Sequence, residues 1–146
     1  MDLSEKSIWH SSYSVENSTI DDEHMQILQV YKELINLVEN NNNDRQAFAS
    51  ILSKLTDFSL YHFKNEEKYM LNMDYPKFKE HKELHREYIY QVAMYNTELL
   101  SVNPPKLIDI INFVKDWLDN HILKEDIKYE KFKNERKISV KYTQTI

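Results

Sequence analysis

Five of the six histidines fall into a pattern with two acids: His24, His62-x-x-x-Glu66, His81-x-x-x-His85 and His121-x-x-x-x-Asp126. Imidazole nitrogen and carboxylate oxygen are ligands for first-row transition metals, and these seven residues overfill a closed four-coordinate zinc site. The set suits a two-metal centre. One histidine on an apolar helix face is more often a core residue bonded to a carbonyl. Five in one layer, with two carboxylates, would each cost on the order of a few kcal/mol if buried without partners, and metal coordination removes that cost. The chain has no cysteine, so thiolate ligation and disulfides are excluded. His10 lies outside the pattern and carries no such reading.

Helices must position these ligands. A spacing of four puts His62 with Glu66, and His81 with His85, one turn apart on a shared face. Each ligand sits in a segment of helical periodicity. The stripe from about Thr19 to Glu39 is Ile20, His24, Ile27, Leu28, Tyr31, Leu34, Ile35 and Val38. From about Asp44 to Asn72 it is Phe48, Ile51, Leu52, Leu55, Phe58, His62, Glu66 and Tyr69. Phe78, His81, His85, Tyr88, Val92, Tyr95 and Leu99 line the segment from about Pro76 to Leu100. Leu107, Ile111, Val114, Trp117, Leu118 and His121 line the last, from about Pro104 to Phe132. With no glycine in the chain, the breaks fall at Asn40 to Asn43, Asp74-Tyr75-Pro76 and Asn103-Pro104-Pro105. Asp44 and Asn103 are expected as N-caps, and Pro76 and Pro104 in first turns.

Such segments with short connections predict an all-α, up-down-up-down four-helix bundle preceded by an extended N-terminal segment. At 1.5 Å per residue, antiparallel packing brings all the ligands within about two to three turns of one end. One residue resists this scheme. A separation of five turns an α-helix about 140° beyond a full revolution, so periodicity alone favours Glu125 over Asp126 as the partner of His121.

At 146 residues the chain is sized for one domain, expected to span residues 1–132, with residues 133–146 a frayed tail or, on the alternation Ile138-Ser139-Val140-Lys141-Tyr142, a short partner-binding strand. A formal charge of −5 disfavours nucleic acid as a partner. The first residues, from Met1 to Ser12, lack the apolar stretch of a signal peptide, and no segment approaches the length of a membrane span. The expected location is the cytoplasm.

In its motifs the chain resembles the hemerythrins, in particular the single-domain bacterial kind, from roughly Trp9 to Tyr129. The motifs are Trp9 followed by Tyr13-Ser14-Val15, then Ile20-Asp21-Asp22-Glu23-His24, His62-Phe63-x-x-Glu66-Glu67, Tyr75-Pro76-x-Phe78-x-x-His81-x-x-x-His85, and Trp117-Leu118-x-Asn120-His121-Ile122-x-x-x-Asp126. Glu16 departs from the family's usual glycine before the first helix. The resemblance implies two iron ions bridged by an oxo or hydroxo group and by Glu66 and Asp126. It assigns His81, His85 and His121 to one iron and His24 and His62 to the other, and so selects Asp126 over Glu125. One coordination position then stays open, on the iron with two histidines, where O2 binds. Ile27, Phe63, Trp117 and Leu118 are the implied pocket around it, although each also suits ordinary core packing.

The function so implied is reversible oxygen binding for transport, storage or delivery. Neutral imidazoles favour ferrous iron, whereas the Glu-x-x-His motifs of oxidising di-iron bundles are missing from this sequence. The alternatives are an oxygen or redox sensor, with an unknown protein partner, and a di-iron enzyme acting on peroxide or nitric oxide. Tyr88 is the phenol to watch for the latter, though its place on the stripe favours packing.

Overall fold

The computed structural model describes residues 17–40 and 43–144, with side chains through residue 136. The N-terminal segment, with His10, Glu16 and the Trp9 to Val15 motif, lies outside the described residues. Helices α1 (Ser18–Glu39), α2 (Arg45–Asn72), α3 (Phe78–Glu98) and α4 (Leu107–Asn120) follow in order. A π-helical turn (His121–Asp126) then joins α4 to α5 (Ile127–Gln144) in one composite rod. α1 packs on α2 and α4, α2 on α3, and α3 on α4, which closes the four-helix bundle.

Local chemistry starts the first two helices. Asn17 Oδ1 accepts hydrogen bonds from the backbone N–H of Thr19 (3.0 Å) and Ile20 (3.1 Å). Asp44 Oδ1 does the same for Gln46 (3.0 Å) and Ala47 (3.2 Å), as its sequence position predicts. Asn103 does not act as a cap, and Pro104 is not in a first turn: α4 begins only at Leu107, after Lys106, which makes no side-chain cap. Asn103 and Pro104 each precede a proline, and that position is pushed out of the helical region. Pro76 likewise falls short of α3. It occupies the second position of a turn closed by Phe78 N–H donating to Tyr75 O (3.2 Å).

With no glycine available, the sharp corner after α2 is made by Asp74, at φ 56°. The C-terminal part of the rod secures that corner. Arg136 donates to Met73 O and lies 3.4 Å from Asp74 Oδ2, while Lys133 Nζ donates to Tyr69 OH (2.9 Å). Residues 133–144 are helical and not an extended strand.

Two apolar clusters fill the interior. The larger one includes Ile27, Leu34, Leu52, Leu55, Phe63, Tyr88, Val114 and Leu118. The smaller gathers Ile20, Met70, Met73, Tyr75 and Tyr129. Along every helix the histidines and the two acids fall between residues of these clusters, so a polar layer is sealed between two apolar ones.

Candidate metal centre

That layer is built on two carboxylates. Glu66, 0 % exposed, turns Oε1 toward Nε2 of His81 (2.8 Å), His85 (2.9 Å) and His121 (3.4 Å). Its Oε2 faces Nε2 of His62 (3.1 Å) and His24 (3.7 Å). Asp126 repeats the division: Oδ1 lies 3.0 Å from both His81 and His121, and Oδ2 lies 3.1 Å from His24. All seven residues of the sequence pattern are brought together and buried. They form two groups that share Glu66, one with His81, His85 and His121 and one with His24, His62 and Asp126. Within each group the potential ligand atoms lie within 4.8 Å of one another.

Hydrogen bonding among the side chains does not account for this arrangement. His121 Nε2 is 3.0 Å from His81 Nε2 and 2.9 Å from His85 Nε2, so ring nitrogens of the same kind point at one another. Adjacent ligands in an octahedron with bonds of about 2.1 Å lie about 3.0 Å apart, against about 3.4 Å in a tetrahedron. Apart from the longer approaches of His24 and His121 to Glu66, the contacts sit at the octahedral value. A pair of six-coordinate metal ions fits this donor set; tetrahedral zinc does not.

The π-helical turn explains the spacing that defeats helical periodicity. In it the backbone repeat is i to i+5, which returns Asp126 to the face of His121. Glu125 is turned outward, 30 % exposed and paired with Lys128 at 3.0 Å. Asp126, and not Glu125, thus lies in the layer with His121.

Carboxylates behind the histidines set their orientation. His62 Nδ1 lies 3.0 Å from Glu23 Oε1, and His85 Nδ1 lies 2.9 Å from Glu67 Oε2. An Nδ1–H donated to each acid leaves the Nε2 lone pair aimed into the layer. Asn65 donates to the other oxygen of Glu23 at 2.6 Å. Stripe analysis misses Glu23, which is only 7 % exposed; its signal is its place in the motif Ile20-Asp21-Asp22-Glu23-His24. Tyr129 is also missed, and its hydroxyl donates to Glu66 Oε2 at 3.3 Å. It stands three residues beyond Asp126, one turn along the same face. Tyr88, by contrast, packs as expected, stacked on Trp117 (4.2 Å) in the larger cluster.

Electrostatics hold the layer charged. Burial disfavours charge on Glu66 and Asp126, yet the surrounding histidines outweigh it and keep both pKa values below the usual carboxylate range. Burial likewise opposes a proton on His24 and His81, but Asp126 and Glu66 raise them to about 9 and about 10. His62 and His121 are raised by the same contest. The Tyr129 phenol is pushed up by burial and by the charges of Glu66 and Asp126.

The four residues read as pocket walls border the layer. Phe63 stacks on His85 (3.9 Å between ring centres) and Trp117 on His121 (4.3 Å). Ile27 and Leu118 lie buried one turn from His24 and His121.

A helical bundle whose buried histidines are divided between two carboxylate-linked groups defines a class, that of bundle proteins able to hold a metal pair. Residues 16–132 match the family described as hemerythrin HHE cation binding domain. Similar proteins include a bacteriohemerythrin of Clostridium acetobutylicum, 26% identical over 84% of this chain and 97% of its own length. A hemerythrin-like protein of Naegleria gruberi is 31% identical over 84% of this chain and 89% of its own. A wild-type hemerythrin crystal structure superposes with a TM-score of 0.76, at 27% identity, covering 85% of this chain and 95% of that one. The chain belongs to the hemerythrin family. It is accordingly a non-haem di-iron oxygen-binding protein. Among the described residues, no helix is long and apolar enough to cross a membrane.

Proposed function

We propose that this chain is a cytoplasmic oxygen carrier or store, not an enzyme, with one iron held by His81, His85 and His121 and the other by His24 and His62. Glu66 and Asp126 would serve both. The observation that carries this reading is that each acid presents one oxygen to each histidine group. When bound, the iron pair supplies reversible dioxygen binding.

The protein's own residues make that site selective. Glu23 and Glu67 fix the rings of His62 and His85, so that Nε2 of each would face a metal held in the layer. Neutral nitrogen ligands favour the ferrous state that an oxygen binder must keep. Ile27, Phe63, Trp117 and Leu118 exclude water from one side of the layer and carry no acidic proton for O–O cleavage. Tyr129 holds Glu66 in position through its hydroxyl, within the cluster that covers the opposite side.

The test is iron content per chain, with visible absorption recorded as oxygen is admitted to the anaerobically reduced protein and then removed. Two irons and a band that appears and disappears reversibly are expected. A band that decays irreversibly while an electron donor is consumed would transfer the protein to the enzymes, and an iron-free chain would sink the ligand assignment.

A further inference from the structure

Three surface grooves, of about 970, 310 and 410 Å³, follow one another along the seam between α2 and α3. The two helices run antiparallel in constant register: Glu67 lies opposite Lys82 (3.9 Å) near one end, and Ser53 opposite Asn96 (2.7 Å) toward the other. Leu60 and Tyr90 fall between these marks at nearly the same height, 48 % and 67 % exposed, on the two sides of the widest groove. The charged residues lining that groove cancel, Lys64, Lys82 and Arg86 against Glu67, Glu83 and Glu87, in a chain of formal charge −5. Lys82 pairs with Glu67, and Arg86 pairs with Glu83 at 3.3 Å. Among the described residues, this leaves one cation and one anion of the lining without an ion pair: Lys64 on α2 and Glu87 on α3.

We propose that the α2–α3 face is where a second copy of this chain docks, about a twofold axis lying along the seam. Such an axis sets α2 over the partner's α3, antiparallel and at equal height, and α3 over the partner's α2. Leu60 then meets the partner's Tyr90, and Lys64 comes within about 3 Å in height of the partner's Glu87. Each contact occurs twice, so the two charges left over in one chain are neutralised by the same two in the other. An apolar centre with an exposed tyrosine, set within a polar rim, is the anatomy of a protein interface. Two copies of an acidic chain repel overall, whereas this face is neutral and can approach its own image. From Gln46 to Glu67 the seam is about 32 Å long, and a helix pair is about 20 Å across. Each copy thus offers about 640 Å², or about 1,300 Å² for the pair, against the ~1,200 Å² at which stable interfaces begin. No metal takes part in the contact, so the dimer and the oxygen-binding reading are tested separately.

Sedimentation equilibrium of the full chain is expected to give twice the chain mass of 17.7 kDa. Leu60→Glu and Tyr90→Glu each place an acid in the apolar centre and should weaken the dimer at least about tenfold. Tyr61→Glu, at a residue 63 % exposed but outside the groove lining, should not. Lys64→Glu alone sets acid against acid in both contacts, and Glu87→Lys alone sets base against base, so each variant by itself should sediment as the monomer. An equal mixture of these two variants should dimerise, because both contacts then join opposite charges. All five substituted positions are exposed, so the bundle interior is untouched. A wild-type chain at the monomer mass would overturn the dimer, and a dimer indifferent to Leu60→Glu and Tyr90→Glu would overturn the face. A mixture that stays monomeric would overturn the twofold register.

Discussion

Loading metal into this protein should expel protons, and the number follows from the two acids. At pH 7.5 an imidazole with its ordinary pKa of about 6.5 carries roughly a tenth of a proton. With pKa values of about 9 and about 10, His24 and His81 are each more than about nine-tenths protonated in the metal-free protein at that pH. The nitrogen that takes the proton is the one facing Asp126 and Glu66, and it cannot hold a proton and a metal together. Anaerobic addition of ferrous iron in weak buffer with an indicator dye should therefore release about two protons per chain from these residues. At pH 9.5, where His24 is about three-quarters and His81 about one-quarter deprotonated, the count should fall to about one. His62 and His121, raised by the same acids, add to the count at the lower pH. The apparent affinity should also climb by about two orders of magnitude per pH unit between pH 7 and 8.5. The stability of the metal-free chain carries the opposite dependence. A histidine raised on folding contributes stability that is complete below pH about 6.5 and lost as pH rises through about 9 to 10, so the metal-free melting temperature should decline across that window. A proton count no larger than ordinary imidazoles give, or an affinity flat with pH, would refute the claim that Glu66 and Asp126 keep this layer protonated.

Further expectations concern single residues. Asp126→Asn should reduce iron to no more than one per chain by metal analysis, whereas Glu125→Gln, on the outer face of the π-helical turn, should leave it unchanged. Glu23→Gln removes the acid behind His62 and should weaken iron retention about 10- to 100-fold in competition with a chelator. Replacing Asp74 by glycine (Asp74→Gly) relieves a left-handed residue, worth roughly 1 to 2 kcal/mol, and gives up an exposed contact to Arg136 worth less than about 1 kcal/mol. The net should be a higher melting temperature.

Much of this architecture is legible in the sequence because the ligands obey the rules of the helices that carry them. His62 with Glu66, and His81 with His85, repeat every four residues, so periodicity alone puts them inward. Asp44 is readable because its cap is a contact with residues two and three positions away. The start of α4 was misplaced because Asn103 looks like a cap only if the following prolines are read as first-turn residues, and each of them in fact restrains the residue before it. Asp126 was legible through family resemblance and not through periodicity, since a π-helical turn has a different repeat. The contacts of Glu23 and Tyr129 are not legible for another reason. Their partners, His62 and Glu66, are 39 and 63 residues away, and no local pattern records such a meeting.

Every member of the bundle contributes to the polar layer: α1 gives His24, α2 His62 and Glu66, α3 His81 and His85, and the composite rod His121 and Asp126. The two acids belong to both histidine groups, so the layer is a knot with a strand from each helix, in a chain that has no covalent cross-link. A cut in the connection at Val102 or Asn103, both exposed, would leave all four rods tied through the layer near one end of the bundle. Chain continuity and architectural integrity are thus separable in this molecule, and it should survive nicking there as a stable two-piece assembly for as long as the knot is filled.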